Sequence, residues 1–131
     1  MLGVDTNVLV RFLMRDDEAQ FEKARRLIRR EITAGRPVFV SLLVLMETEW
    51  VLRSRYGSQK TEVIHVISEL LYTSDVEFEN ESVIEEALYA WKDNTGGFSD
   101  CLIGAHNRRQ GCSATATFDA KASKLPTFVA A

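Results

Sequence analysis

The chain has few of the residues that stabilise extracellular proteins or anchor proteins in a membrane. Its only cysteines, Cys101 and Cys112, form no C-x-x-C motif and are too few for a disulfide framework in 131 residues. The longest apolar stretch, P-V-F-V-S-L-L-V-L-M, stops at Glu47 and is too short to span a bilayer. The start also lacks the basic region of a signal peptide. These absences predict a cytoplasmic protein in a reducing environment, with no attachment to a membrane.

Glycine and proline are also scarce, and they lie mostly where predicted helices and strands join. The chain has 7 Gly and 2 Pro, and it contains no repeat, low-complexity tract or linker. A hydrophobic fraction of 46 % and a charged fraction of 27 % are typical of a globular protein. The sequence therefore predicts a single domain over residues 1–131.

The net charge of −3 argues weakly against nucleic acid as a partner, but the charges are unevenly distributed. Residues 1–60 carry 11 Lys and Arg against 8 Asp and Glu, whereas residues 61–131 carry 5 against 11. Four arginines lie on the flank and outer face of the second predicted helix: Arg25, Arg26, Arg29 and Arg30. A solvated helix face is the default explanation for them, and a surface that follows RNA phosphates is the alternative.

Predicted strands and helices alternate along the whole chain. The strands are predicted at residues 2–4, 38–40, 75–78, 114–117 and 127–130. Helices are predicted at about 6–14, 17–34, 41–56, 59–72, from Ser82 onward, and 99–110. Two of them have capping-box spacing at their start, Asp17 with Gln20 and Ser82 with Glu85. Ser41 can cap the third helix, and Gly57 ends it. This order predicts an α/β fold with a small parallel sheet covered on both faces, whose ligands bind beyond the carboxyl ends of the strands.

Three acidic residues stand at the ends of these elements, and each has a structural explanation. Asp5 precedes the first predicted helix and Asp100 opens the last one, so both can cap a helix. Asp119 lies in T-F-D-A-K-A, where an aspartate can simply turn the chain. Asp5 and Asp119 also lie within two residues of a predicted strand end, and this favours a shared edge of the sheet.

Glu47 lies in the middle of a predicted helix, so it caps nothing. Its helical neighbours are apolar, whereas Glu49 has Arg53 four residues later as a surface partner. We therefore expect Glu47 to lie against apolar groups, where a carboxylate must be paired, protonated or bound to a cation. Four such acids in one cleft would repel each other, and Mg²⁺ or Mn²⁺ neutralises oxygen ligands of this kind. Metals held by carboxylates suit phosphoryl chemistry.

Four blocks of the sequence carry a resemblance to a known family: D-T-N-V-L-V-R, L-V-L-M-E-T-E-W-V-L-R-S-R-Y-G, F-S-D-C-L-I-G-A and A-T-F-D-A-K-A. In this order and spacing they resemble the PIN-domain ribonucleases, and most closely the VapC-type toxins of prokaryotic toxin–antitoxin modules. The resemblance runs nearly from end to end. It implies a three-layer α/β/α sandwich around a small parallel sheet.

The resemblance also implies a site and partners. The metal-binding acids would be Asp5, Glu47, Asp100 and Asp119. The hydroxyls of Thr6 and Thr117 would orient those carboxylates. Relatives often read D-F-x-D where this chain has Gly97 in place of the first acid. The implied activity is Mg²⁺- or Mn²⁺-dependent endonucleolytic cleavage of RNA, the implied inhibitor is a small antitoxin, and the implied assembly is a homodimer.

Two other functions are compatible with parts of the pattern. A PIN-fold RNA-binding or assembly module without cleavage would keep the fold, but the presence of all four acids argues against it. A phosphoryl-transfer receiver or phosphatase needs a second acid beside its nucleophilic aspartate, whereas Asp5 is followed by Thr6 and Asn7.

Overall fold

Strands and helices alternate along the chain in the order that the hydrophobic pattern predicted. The computed structural model describes residues 1–131. The strands are β1 (Leu2–Gly3), β2 (Val38–Val40), β3 (Val76–Phe78), β4 (Thr115–Thr117) and β5 (Phe128–Ala130). The helices are α1 (Thr6–Met14), α2 (Glu18–Thr33), α3 (Leu42–Tyr56), α4 (Lys60–Tyr72), α5 (Glu81–Asp93) and α6 (Phe98–Arg109), with a 3-10 helix at Ala122–Lys124. The residues divide into two compact units, Met1–Glu79 and Asn80–Ala131. The expectation of one domain stays a prediction.

The first unit is built on a three-stranded parallel sheet in the order β1-β2-β3. Leu2 pairs with Val38, and Val38 pairs with Val76 on the other side. Two helices connect each strand to the next, as parallel pairing requires a long crossover. Val38 and Val40 of the central strand are almost completely buried, so β2 lies in the core of this unit.

Side chains cap most helices of the first unit, and this fixes where the helices begin. Asp17 accepts a hydrogen bond from the backbone N–H of Gln20 at 3.0 Å, which confirms half of the capping box expected at α2. The side chain of Gln20 does not return to Asp17, however, because its amide oxygen accepts from Arg11 of α1. Gly57 ends α3 with a φ of 62°, a left-handed conformation that glycine adopts without strain.

The second unit contains α5, α6 and a two-stranded parallel sheet of β4 and β5. Helix α5 begins at Glu81, because Asn80 accepts from the N–H of Val83, so the capping box expected at Ser82 is wrong. Gly104 of α6 lies against the ring of Phe128, where an added Cβ would lie 2.5 Å from the ring carbon Cε1. The strands of both units are parallel, as predicted, but they form two sheets instead of one. None of the six helices is long and apolar enough to cross a membrane.

Candidate metal and RNA site

Asp5 lies two residues beyond the end of β1 and caps α1. Its Oδ1 accepts a hydrogen bond from the N–H of Val8 at 3.0 Å. The helix-cap explanation is therefore confirmed, but it uses only one of the two carboxylate oxygens. Oδ2 has no hydrogen bond, the side chain is exposed, and no Lys or Arg lies within ion-pair distance. Capping and metal binding are compatible at this residue, because they require different oxygens.

Glu47 and Glu49 have the opposite exposure to that expected from the sequence. Glu47 is exposed, whereas the Glu49 side chain is only 3 % exposed and pairs with Arg53 at 2.9 Å. The buried residues of α3 are Leu45, Thr48, Glu49 and Leu52. The expectation that Glu47 lies buried among apolar groups is wrong, because its neighbours Leu43 and Trp50 are themselves exposed. Glu47 has no ion pair or hydrogen bond, so its site role stays a prediction.

Asp100 is the third residue of α6 and does not cap it. The N-cap is Gly97, and no side chain accepts a hydrogen bond there. The capping explanation of Asp100 is therefore wrong, because the N-cap lies three residues earlier at Gly97 and α6 already begins at Phe98. An acid in the first helical turn still interacts favourably with the helix dipole. The Asp100 carboxylate makes no ion pair or hydrogen bond within the protein.

Gly97 lies next to this carboxylate. A Cβ added at Gly97 would lie 3.7 Å from Asp100 Oδ2, in ordinary van der Waals contact. The backbone there is extended, with φ −76° and ψ 160°, so an aspartate fits without strain. The Gly97 departure therefore removes both a helix cap and an acid beside Asp100.

Asp119 follows β4 and is held by the turn that it forms. Its Oδ1 accepts from the N–H groups of Lys121 at 2.7 Å and Ala122 at 3.1 Å. These backbone hydrogen bonds, from Ala122 first and Lys121 second, lower the pKa of the Asp119 carboxyl below its ordinary value. Thr117 accepts from the N–H of Asp119 at 3.0 Å, so its hydroxyl fixes the backbone that carries this acid. The turn explanation is confirmed, and Oδ2 has no hydrogen bond.

None of the four predicted site acids forms an ion pair. Other acids of the chain, such as Glu31 and Glu86, form ion pairs with arginines, but none of these four does. Each has at least one carboxylate oxygen without a protein hydrogen bond, and carboxylate oxygens are ligands that suit Mg²⁺ or Mn²⁺. The donor chemistry therefore fits the predicted metal. Asp5 and Glu47 belong to the first unit, Asp100 and Asp119 to the second. No three His, Cys, Asp or Glu side chains come together in either unit as a metal-binding group.

The structure separates the four arginines of α2 by their partners. Arg25 pairs with Glu22 at 3.0 Å, and Arg30 lies 4.0 Å from the buried Glu31. Arg26 and Arg29 are exposed and form no ion pair. These two are therefore the members of the group that are most available to a phosphate.

A polar network that was not predicted from the sequence lies beside Asp5. Arg11 donates from Nε to Gln20 Oε1 at 2.6 Å and from Nη1 to Tyr56 Oη at 2.9 Å. Tyr56 in turn donates to Asp16 Oδ2 at 2.7 Å. The only sequence feature that pointed to this network was the position of Arg11, one helical turn after Asn7 on α1. Its partners are up to 45 residues away, so no local spacing predicts them.

Comparisons with known proteins support the resemblance. The PIN domain family model matches residues 3–127. A VapC ribonuclease of Aquifex aeolicus (strain VF5) is 25 % identical over 122 residues, which cover 93 % of this chain and 90 % of the relative. The crystal structure of Mycobacterium tuberculosis VapC20, a sarcin–ricin loop cleaving toxin, is 25 % identical and covers 94 % of this chain and 93 % of that chain, with a TM-score of 0.42. The predicted PIN-like α/β fold class is confirmed. Since the family model spans nearly all residues, this protein belongs to the PIN domain family.

Proposed function

We propose that this protein is an endoribonuclease, the toxin of a type II toxin–antitoxin module, whose cleavage of RNA depends on Mg²⁺ or Mn²⁺. Membership of the PIN domain family and similarity to a VapC ribonuclease support the ribonuclease activity. The observation that carries the metal dependence is that none of the four acids, Asp5, Glu47, Asp100 and Asp119, forms an ion pair, although Lys121 lies near Asp119. They therefore keep oxygens for a hard divalent ion.

The chain's own residues have distinct tasks in this mechanism. Asp5 and Asp100 would hold the metal, and Glu47 and Asp119 would complete the ligand set directly or through water. The N–H groups of Lys121 and Ala122 favour the ionised form of the Asp119 carboxyl, and Thr117 fixes the backbone that carries it. When bound, the metal supplies activation of water and neutralisation of charge on the phosphate. Hydrolysis with departure of the 3′ oxygen leaves a 5′-phosphate and a 3′-hydroxyl.

Cleavage of end-labelled single-stranded RNA by the purified protein tests this function. We expect products with 5′-phosphate ends in Mg²⁺ or Mn²⁺ and none in EDTA, with Asp100→Asn as a folded control that lacks one ligand charge. Undiminished cleavage in EDTA, or products with cyclic phosphate ends, would refute the metal dependence but not the ribonuclease activity. Absence of cleavage with either metal would favour the non-catalytic RNA-binding or assembly module.

A small antitoxin is the proposed protein partner. An Arg or Lys of the partner would be attracted by the site carboxylates and would displace metal or substrate. We expect the co-expressed partner to inhibit cleavage and excess Mn²⁺ to weaken the inhibition. A partner that binds while leaving cleavage intact would contradict this.

A homodimer is also proposed, and exposed apolar residues of α3 support it. Leu43 is 78 % exposed and Trp50 is 54 % exposed. Burial of two such side chains against a second copy would remove apolar area from water. Sedimentation should give a dimer at micromolar concentration, and Trp50→Glu should give a monomer. A wild-type protein that remains monomeric would refute the proposal.

A further inference from the structure

The first unit contains a cavity of about 300 Å³ between α1 and α2, and Asp5 lines it. Its other polar lining residues are Asn7, Arg11, Gln20 and Lys23. Apolar side chains, among them Val8 and Leu27, complete the lining. A site for a small molecule typically has about 300–1,000 Å³ and mixes an apolar surface with a few polar groups. This cavity is open to solvent and lies at the lower end of that range, a size that suits one nucleotide.

Apart from the Asp5 carboxylate and the Asn7 amide oxygen, the polar lining offers hydrogen-bond donors. An arginine can only donate, so the bond from Arg11 Nε to Gln20 uses the amide oxygen and leaves the amide NH₂ of Gln20 free. Arg11 is held further by Asp16 and Tyr56 through Nη1, which gives Gln20 a fixed partner. Lys23 is exposed, has no ion pair and adds three more donors. Such a lining suits a ligand that presents acceptor oxygens.

We propose that this cavity binds one nucleotide of a single-stranded RNA substrate beside the scissile phosphate. The free amide NH₂ of Gln20 donates to a carbonyl oxygen of the base, and Lys23 contacts the phosphate. Guanine and uracil present such a carbonyl where adenine and cytosine present an amino group. This subsite rests on the proposed ribonuclease function, because its place near the reaction follows from Asp5, which belongs to both.

Charge favours RNA over a protein segment as the occupant. Lys23, Arg26 and Arg30 recur at i, i+3 and i+7 along α2, and all three are exposed, although Arg30 also lies 4.0 Å from Glu31. Residues with this spacing lie on one side of a helix, so they form a basic row that starts at the cavity. A row of this kind follows the regularly spaced phosphates of a single strand. Sequence-specific recognition of RNA also takes place mostly on single strands, whose bases can enter pockets.

Gln20→Glu tests the base contact with minimal change to the fold. Glutamate keeps an oxygen for Arg11 but replaces the free amide donor by an acceptor. Ala19→Glu is the matched control, because it adds the same charge at the adjacent, exposed position, which does not line the cavity. Lys23→Ala is a second variant at an exposed side chain, and it keeps the test valid if Gln20→Glu fails to fold.

The first measurement is the affinity for eight-nucleotide RNAs in EDTA, by fluorescence anisotropy. We expect the wild type to prefer guanine or uracil at one position by roughly 5- to 100-fold. An abasic nucleotide at that position should remove the additional affinity that the preferred base provides. Gln20→Glu should lose the preference, whereas Ala19→Glu should keep it. Lys23→Ala should flatten the dependence of log affinity on log salt by about 0.7.

The second measurement sequences the products from a random RNA pool in Mn²⁺, and it separates failure of the subsite from failure of the function. Cleavage without a preferred base, or an equal preference in Gln20→Glu and Ala19→Glu, would overturn the subsite and leave the nuclease. Absence of both RNA binding and cleavage would overturn the nuclease as well. Loss of antitoxin binding with unchanged RNA affinity in Gln20→Glu would assign the cavity to a protein partner and overturn the proposal.

Discussion

Substitution of Asp5 separates its two roles, because the helix cap and the proposed metal ligand respond differently to Asn and Ala. Asn caps a helix about as well as Asp, so Asp5→Asn should keep the hydrogen bond to Val8 and leave stability within about 0.5 kcal/mol. Asp5→Ala loses the cap and should cost about 1 kcal/mol. For a chain of this length that is a fall of about 4 °C in the melting temperature.

Metal binding gives the same substitutions a second and larger signature. At a Mn²⁺ concentration 100 times the dissociation constant, binding linkage should stabilise the wild type by about 2.7 kcal/mol. Asp5→Asn removes the charge of one ligand, so this gain should largely disappear and RNA cleavage should fall by orders of magnitude. In the proposed site, metal-free stability of Asp5→Asn should hold or rise, because the substitution removes one of the mutually repelling carboxylates that the site would bring together.

Asp100 serves as the internal comparison, because it caps nothing. Asp100→Asn and Asp100→Ala should therefore have similar metal-free stability, both within about 1 kcal/mol of the wild type. Thermal unfolding with and without Mn²⁺, together with a cleavage assay on the same samples, measures all of these effects. Full cleavage activity in Asp5→Asn or Asp100→Asn would refute the metal assignment of that residue.

Three further predictions concern charge. Backbone hydrogen bonds lower the pKa of Asp119, so its contribution to stability is present above the ordinary carboxyl pKa of about 3.9 and is lost as pH falls through the lowered value. Asp119→Asn should therefore flatten the dependence of stability on pH in that range. An unchanged pH dependence, measured by thermal unfolding, would contradict this. Gly97→Asp places an acid beside Asp100 at a helix N-cap. We expect the metal-free stability to change by less than about 0.5 kcal/mol and the stabilisation by Mn²⁺ to rise. A fall in the stabilisation by Mn²⁺ would refute the reasoning. If α2 follows phosphates, Arg26→Ala should reduce the slope of log RNA affinity against log salt by about 0.7. Arg25→Ala should change this slope less, because Arg25 is already paired with Glu22. Equal slopes in the two variants would favour a solvated face.

The order of the elements was predictable from the sequence because it depends on local chemistry. Asp17 and Ser41 cap helices where the sequence placed caps, and Gly57 ends α3 as expected. Apolar periodicity fixed the alternation of strands and helices, and the family motifs identified the PIN domain. Boundaries were wrong where two caps competed, as at α5, where Asn80 begins the helix before Ser82.

Only the tertiary structure decided which side of α3 is buried. Apolar residues occur all around this helix, so its pattern gave no direction, and Glu47 was expected inside although Glu49 is the buried acid. The division of the strands into two sheets likewise depends on pairing between distant residues.

The cavity beside Asp5 also depends on contacts that no local spacing encodes. Gln20 was expected to complete a capping box, but Arg11 competes for its amide oxygen from another helix. Local hydrogen bonds fix where helices begin, because their partners lie within four residues. The choice of a buried face and of a long-range partner depends on how the helices and strands of a unit pack, and the sequence of one element does not contain that information.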